Sequence, residues 1–245
     1  MTSVSPAVEC RRLEKWYGGV HALRNVNLSI GSCECVGLVG DNGAGKSTLI
    51  KILSGVHRPD SGEIRLDGEL VDIRNPRSAM RLGIETIYQY NSLVANMSVA
   101  RNLFIGREPT KWSLFGIGPL DLPRMRRESL QAIRDVDLHI RSADAKVSEL
   151  SGGQRQGVAI ARAIHFKSRL FILDEPTNHL SVRETEKVIG FVRGLRDQKI
   201  TTIFISHNIQ HVFACCDRVV AMARGEIVAD RRVVDTSPEE VSALL

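Results

Sequence analysis

The chain has 245 residues, 43% of them hydrophobic and 25% charged, with a net charge of +5. That length suits one domain, at most of two lobes, around a sizeable core, and the composition excludes collagenous, disordered and disulfide-stapled classes. The modest positive charge fits phosphate ligands, and fits anionic lipid or nucleic acid equally well.

The amino-terminal MTSVSPAVECRRLEKW lacks the apolar centre of a secretory signal. No apolar run in the chain approaches the roughly 20 residues of a membrane helix. A cytoplasmic chain is expected. Residues 8–30 read as short strands around a tight turn at Gly18-Gly19, with Val26, Leu28 and Ile30 alternating onto one face. Trp16 and Tyr17 lie in this segment. An exposed aromatic just upstream of a phosphate loop can stack on a purine ring, and both aromatics can equally pack in the core of a small sheet. Cys33 and Cys35 are two apart on a predicted strand and so share a face, whereas the adjacent Cys215 and Cys216 point opposite ways. The five cysteines form no framework and are expected as small buried apolar residues.

Residues 40–48, GDNGAGKST, follow the apolar run CVGLV and lead into LIKIL. This is the G-x-x-x-x-G-K-[ST] pattern in strand–loop–helix context. Gly40, Gly43 and Gly45 let the backbone curl and aim its N–H groups at a phosphate, with Asp41, Asn42 and Ala44 completing the loop. The helix opening at Lys46 adds the positive end of its dipole. Lys46 can reach terminal phosphates, the Ser47 hydroxyl can ligate Mg²⁺, and Thr48 follows it.

Residues 58–62 read as a turn and 63–68 as a hairpin, and residues 84–88 form a short strand ending at Gln89. Apolar spacing turns helical over 98–104 and 123–136, with an irregular glycine- and proline-rich loop between them. Residues 91–160 therefore read as a helical lobe inserted between strands. The arginines at 124, 126 and 127 read as a solvated helix face. Ser151, Gly152, Gly153 and Gln154 have the form of a capping box, and the helix they open offers free N–H groups, a second possible phosphate site. Residues 169–174, RLFILD, read as a buried parallel strand that presents Asp174 and Glu175 at its end. One of these carboxylates can hold Mg²⁺ and the other can polarise a water. Ser181 and Glu184 form a further capping box. Residues 201–205 are another buried strand, ending at Ser206-His207, where the histidine is a candidate γ-phosphate contact. Residues 237–240, SPEE, cap a last short helix.

The order of these motifs, GDNGAGKST, Gln89, LSGGQRQ, LFILDEPT and Ser206-His207, resembles the nucleotide-binding subunit of ATP-binding cassette (ABC) transporters over nearly the whole chain. The resemblance implies an α/β fold: a P-loop NTPase (RecA-like) core, with a small antiparallel β subdomain, at 8–90 and 160–245, and an α-helical subdomain at 91–160. It implies ATP and Mg²⁺ as ligands and ATP hydrolysis as the activity. Tyr17 would stack on adenine. Lys46, Ser47 and Thr48 would meet phosphate and Mg²⁺, and Gln89 would meet Mg²⁺ or water. Asp174 would hold Mg²⁺, Glu175 would polarise the attacking water, and His207 would touch the γ-phosphate. Ser151, Gly152 and Gly153, with Gln154, would cap the nucleotide of a second copy, so that two chains sandwich two ATP molecules head to tail. The implied partners are that second copy, an integral membrane permease and, indirectly, an extracytoplasmic solute-binding protein. No nucleic acid is expected. The location would be peripheral, on the cytoplasmic face of the membrane.

Two positions depart from the family pattern: Ser181, where an aspartate is common, and Tyr90, where an acid is common. Neither removes a phosphate or Mg²⁺ contact. WYGGVHAL, NMSVARNLFIGREP, EPTNHLS and SHNIQHVF look like importers of simple sugars of the ribose, xylose and fructose type, here with one cassette acting as a homodimer. An extra regulatory domain of the maltose type is not expected. Import of another small solute, such as an amino acid, remains an alternative, as does a soluble cassette ATPase acting on ribosomes or DNA. The soluble type usually shows tandem cassettes or a charged linker. A nucleotide-binding regulator without turnover is a third class, and the pair Asp174 and Glu175 argues against it.

Overall fold

The computed structural model describes residues 5–88, 93–112, 118–178 and 180–245. The expectations for Gln89 and Tyr90, and for the middle of the glycine- and proline-rich loop, lie outside the described residues.

Alternating apolar residues build the first sheet. β1 (Val8–Tyr17) and β2 (Val20–Ile30) pair antiparallel, joined at Gly18, whose φ of +56° suits a residue without a Cβ. Val8, Cys10 and Leu13 from one strand, and Leu23, Val26, Leu28 and Ile30 from the other, are buried together. These strands have ten and eleven residues, longer than the short strands expected, because irregularities in register let them twist without ending. The hairpin of β4 (Ser61–Leu66) and β5 (Glu69–Val71) extends this sheet to the order β2-β1-β4-β5.

The second sheet rests on continuous apolar runs, as parallel strands covered on both faces require. β3 (Cys35–Val39) is buried throughout and pairs in parallel with β8 (Thr201–Ile205) and β9 (Arg218–Ala223). β7 (Leu170–Asp174) pairs in parallel with β8 and with β6 (Ile84–Ile87), and β10 (Glu226–Arg232) closes the other edge antiparallel. The order is β10-β9-β3-β8-β7-β6. The carboxyl ends of β3, β8 and β7 therefore lie side by side, although residues 39, 205 and 174 are far apart in the chain. Helix α1 (Lys46–Leu53) buries Leu49, Ile50, Ile52 and Leu53 against the core shared by the two sheets.

Pro76 opens α2 (Pro76–Arg81), capped by Asn75. Between β6 and β7 come α3 (Val99–Phe104), α4 (Leu122–Asp135) and α5 (Gly152–His165). Their buried faces meet through Val99, Leu103, Met125, Ile133 and Val158. Asn102 is 1% exposed and satisfies the chain entering α3: its Oδ1 accepts from Val94 N at 2.6 Å, and its Nδ2 donates to the Val94 and Ser98 carbonyls at 3.0 Å. Glu85 of β6 is also buried and ties this lobe to the sheet through Arg162 of α5, at 2.7 Å, and Arg107, at 3.5 Å. The arginine cluster on α4 includes exposed pairs, Arg124 with Glu128 at 2.7 Å and Arg126 with Asp144 at 2.8 Å. The chain continues through α6 (Val182–Leu195), α7 (Ile209–Cys215) and α8 (Pro238–Ser242). No helix among the described residues is long and apolar enough to cross a membrane.

Two readings of the cysteines are corrected. Cys33 lies in the turn before β3 at φ +62°, not on the strand, so it does not share a face with Cys35. Cys215 and Cys216 do not diverge: both are buried, with sulfurs 3.9 Å apart, because the chain leaves α7 for an extended conformation at Cys216. The sulfur of Cys216 also lies 3.6 Å from that of Cys35.

Candidate nucleotide-binding site

The loop after β3 is shaped by its glycines. At Gly40, a Cβ would stand 2.3 Å from the Met222 carbonyl, and at Gly45, 2.8 Å from that of Ala22, with φ at +150° and +106°. Both positions exclude a side chain, so the loop presses against the β9–β10 turn and β2. Gly43 differs: its φ is +87° and a Cβ would project into open space. α1 begins at Gly45 with no side-chain cap and no acidic residue in its first turn, whereas α2, α5, α6 and α8 carry full capping boxes. Its first amides are therefore left to a ligand, and an anion is the ligand they favour.

A cavity of about 490 Å³ opens over residues 42–48 and is also lined by Val20, His21, Ala22, Arg24 and Arg224. Lys46 curls back over its loop and donates to the carbonyls of Gly40 at 2.6 Å and Asp41 at 2.9 Å. Burial lowers its pKa, opposed by the charges of Glu175, Asp41 and Asp174. Tyr17 stands at the rim. Its strand partner Val20 lines the cavity and Tyr17 does not. Trp16 and Tyr17 are 43% and 40% exposed, so neither packs in the sheet core. Trp16 stacks on His21 at 4.1 Å between centroids, and Tyr17 meets His57 edge-on at 5.4 Å.

The carboxylates and the histidine are brought together by strand adjacency. Asp174 is level with Ile205 across the β7–β8 pair, and Glu175 N donates to the Ile205 carbonyl at 3.0 Å. His207, two residues beyond β8, then meets Glu175: its Nδ1 donates to Oε2 at 3.0 Å. Glu175 holds a left-handed φ of +52°, strain that turns it out of the strand direction. A second cavity, of about 470 Å³, is lined by Gly40, Asp41, Asn42, Glu175, Asn178 and His207 among others. Burial, and then the charge of Glu175, raises the pKa of Asp174, with Lys46 and Lys51 opposing. A hard cation would relieve that crowding, and Ser47 and Asp174 supply the oxygen donors that Mg²⁺ prefers. Loop, uncapped helix and oxygen donors together fit a nucleotide polyphosphate with Mg²⁺.

Ser151 caps α5 as expected: its Oγ accepts from Gln154 N at 3.2 Å and Gln154 Oε1 accepts from Ser151 N at 3.0 Å. Ser151, Gly153 and Gln154 line a cavity between α5 and α6 and neither of the two cavities beside the phosphate loop. Within one chain, then, the structure gathers residues 40–48, Asp174, Glu175 and His207 and leaves Ser151, Gly153 and Gln154 elsewhere.

The family model described as ABC transporter matches residues 23–178. This chain belongs to the ABC transporter family. It is 39% identical over 242 residues to a xylose/arabinose import ATP-binding protein of Sulfolobus acidocaldarius, covering 99% of this chain and 94% of that protein. It is 41% identical over 217 residues to a fructose import ATP-binding protein of Rhizobium meliloti, covering 87% of this chain and 84% of that one. Against a ribose import ATP-binding protein of Chromobacterium violaceum it is 39% identical over 238 residues, but spans only 46% of that protein's length. The fold is that of a nucleotide-free ATP-binding cassette from an ABC transporter, at TM-score 0.82 and 24% identity over 98% of this chain and 94% of that one. A dimeric cassette in a post-hydrolysis state, bound to ADP and Pi, matches at TM-score 0.76 and 25% identity, covering 92% of this chain and 98% of that one.

Three residues in this ABC cassette, His211, Arg24 and Arg224, escaped sequence reasoning, and Glu184 was only half read. His211 bridges the strand ends, with Nδ1 3.1 Å from Thr177 Oγ1 and Nε2 3.2 Å from Asn208 Nδ2. Burial and the neighbouring His207 lower its pKa, against the pull of Glu175. His211 lies on α7, and its approach to Thr177 is visible only once that helix is placed. Arg24 and Arg224 join the phosphate-loop cavity from two hairpins, and no sequence pattern links them. Glu184 was read as a helix cap, and its second oxygen reaches Gly153 N at 3.3 Å.

Proposed function

We propose that this chain is the ATP-binding and hydrolysing subunit of an importer for a monosaccharide, working as a head-to-tail pair on a membrane permease. The observation that carries the enzymatic part is the convergence of the uncapped phosphate loop, Asp174, and the Glu175–His207 pair on three adjacent strand ends. In this reading the amides of residues 43–48 and Lys46 hold the β- and γ-phosphates, Lys46 exchanging the loop carbonyls for phosphate oxygens. Ser47 and Asp174 hold Mg²⁺, with Gln89 contributing. When bound, the ion neutralises charge on the phosphates. Glu175 polarises the attacking water, and His207 steadies that carboxylate and contacts the γ-phosphate. Tyr17 receives the adenine at the rim.

Ser151, Gly152, Gly153 and Gln154 face the nucleotide of the second copy. Ser151, Gly153 and Gln154 lie outside the two cavities beside the chain's own phosphate loop, which supports this, as does the dimeric cassette among the fold relatives. Hydrolysis then requires closure, since positioning and electrostatics supply most of the catalysis in phosphoryl transfer. The sugar assignment is supported by the relatives named for xylose/arabinose, fructose and ribose import. A peripheral position on the cytoplasmic face follows from that role.

The test is Glu175→Gln in the full chain. ATP should drive this variant into a stable dimer while turnover falls by at least about a hundredfold. Undiminished turnover would remove Glu175 from its role. A tagged chain solubilised gently from native membranes should carry a polytopic membrane protein, and the reconstituted complex should transport pentoses or hexoses. Co-purification with ribosomes or DNA and no membrane protein would overturn the transport reading.

A further inference from the structure

The amino ends of α5 and α6 abut, and one carboxylate serves both. Within α6, Glu184 completes its own capping box: Ser181 N donates to Oε2 at 3.1 Å, and Ser181 Oγ donates to the same oxygen at 2.9 Å. That box needs one oxygen only. The other, Oε1, reaches back 31 residues to accept from Gly153 N at 3.3 Å. Close packing of the two ends shows at Gly152, where a Cβ would crowd Leu180 at 3.2 Å. The charge of Glu184 thus lies at two positive helix ends at once.

We infer that Glu184 is a positioning residue that occupies the amino end of α5 within one chain and must release Gly153 before the partner's nucleotide can be engaged. The inference rests on the two-chain reading above, in which Gly153 faces the phosphates of the partner's nucleotide. One N–H donor cannot serve a glutamate and a phosphate with full strength. A bond of 3.3 Å lies beyond the usual length for N–H···O and is the weaker competitor. Room for the release is present: a cavity of about 470 Å³ lies between α5 and α6, lined by Leu138, Gly157, Ile160, Val188 and Phe191 among others.

The measurement is the ATP concentration that half-converts the Glu175→Gln chain to dimer, read by light scattering. Adding Glu184→Gln keeps the capping geometry and removes the charge. Charged hydrogen bonds are roughly twice as strong as neutral ones, so the midpoint should fall by about fivefold. Glu184→Asp can still cap Ser181 but lacks the reach to Gly153, and should also lower the midpoint. Binding of a fluorescent ATP analogue to the monomer should not change. A purely structural cap predicts the reverse: weaker dimerisation in step with lost thermal stability. An unchanged or raised midpoint in both variants overturns the inference. Failure of the parent Glu175→Gln chain to dimerise at any ATP concentration overturns the two-chain reading, and the role of Glu184 with it.

Discussion

Glu85 joins the central sheet to the helical lobe, and its removal should be strongly destabilising. Its side chain is 4% exposed, that of Arg162 is 8% exposed, and the two lie 2.7 Å apart. Arg107 approaches the second oxygen at 3.5 Å, donates to the Met80 carbonyl at 2.8 Å and covers the Phe166 ring. Burial already lowers the pKa of Arg107, opposed by Glu85. Glu85→Ala leaves two guanidiniums without this carboxylate in a site with little water. Breaking a buried pair by deleting one partner costs about 3–5 kcal/mol. For a chain of this size that is a fall of roughly 10 °C in melting temperature. The assay is thermal and urea unfolding of Glu85→Ala beside the double variant Glu85→Leu/Arg162→Leu. Replacing both charges with apolar groups is often near neutral, so the double variant should recover most of the loss. A single variant that melts within about 2 °C of the parent, which is under about 1 kcal/mol, would refute the argument. So would a double variant as damaged as the single one.

Gly37 in β3 has no room for a methyl: a Cβ would stand 2.1 Å from Val212 Cγ1 and 3.2 Å from Cys216 Sγ. Gly37→Ala should cost about 1–3 kcal/mol by overpacking, and Val212→Ala in the same chain should return most of it, both read from urea midpoints. Stability should also depend on Glu34 at acid pH. Burial raises the pKa of Glu34, but the Arg218 hydrogen bond and the Gly31 amide outweigh it, so the native value lies below the ordinary 4.5. The stability it contributes is full above pH 4.5 and is lost as pH falls through the lower native value. Glu34→Gln should flatten the pH dependence of unfolding in that window and leave it unchanged near pH 7. An equal acid slope in both proteins would show that Glu34 is not the group responsible.

What the sequence disclosed depended on how far the signal travels. Continuous runs such as residues 170–173 and 203–205 are recognisable because burial on both faces keeps consecutive residues apolar. The capping boxes at Ser151, Ser181 and Ser237 are recognisable because both partners sit three residues apart. The pair β9 and β10 escaped, although the β9 run VVAMA is as apolar as that of β8. Its turn, Arg224-Gly225, holds φ of +50° and +87°, which marks a hairpin only once the strands are known. Cys216 was misplaced for a related reason. Alternation was assumed for adjacent residues, and a helix end breaks alternation.

The site itself divides along the same line. Lys46, Asp174, Glu175 and His207 each belong to a local motif, but no local motif states that His207 meets Glu175. That contact is a consequence of sheet order, since β8 lies between β3 and β7 and delivers residues 206–207 between the phosphate loop and the carboxylates. His211 and Arg224 are one step further removed, because His211 reaches the β7 end through Thr177, 34 residues away, and Arg224 joins the phosphate loop from a distant turn. Glu184 is the sharpest case. Its capping role is written in the spacing to Ser181, and its bond to Gly153 is not, because that bond exists only where two helix ends abut. A local motif can therefore be read correctly and still account for only one of the two oxygens on the same side chain.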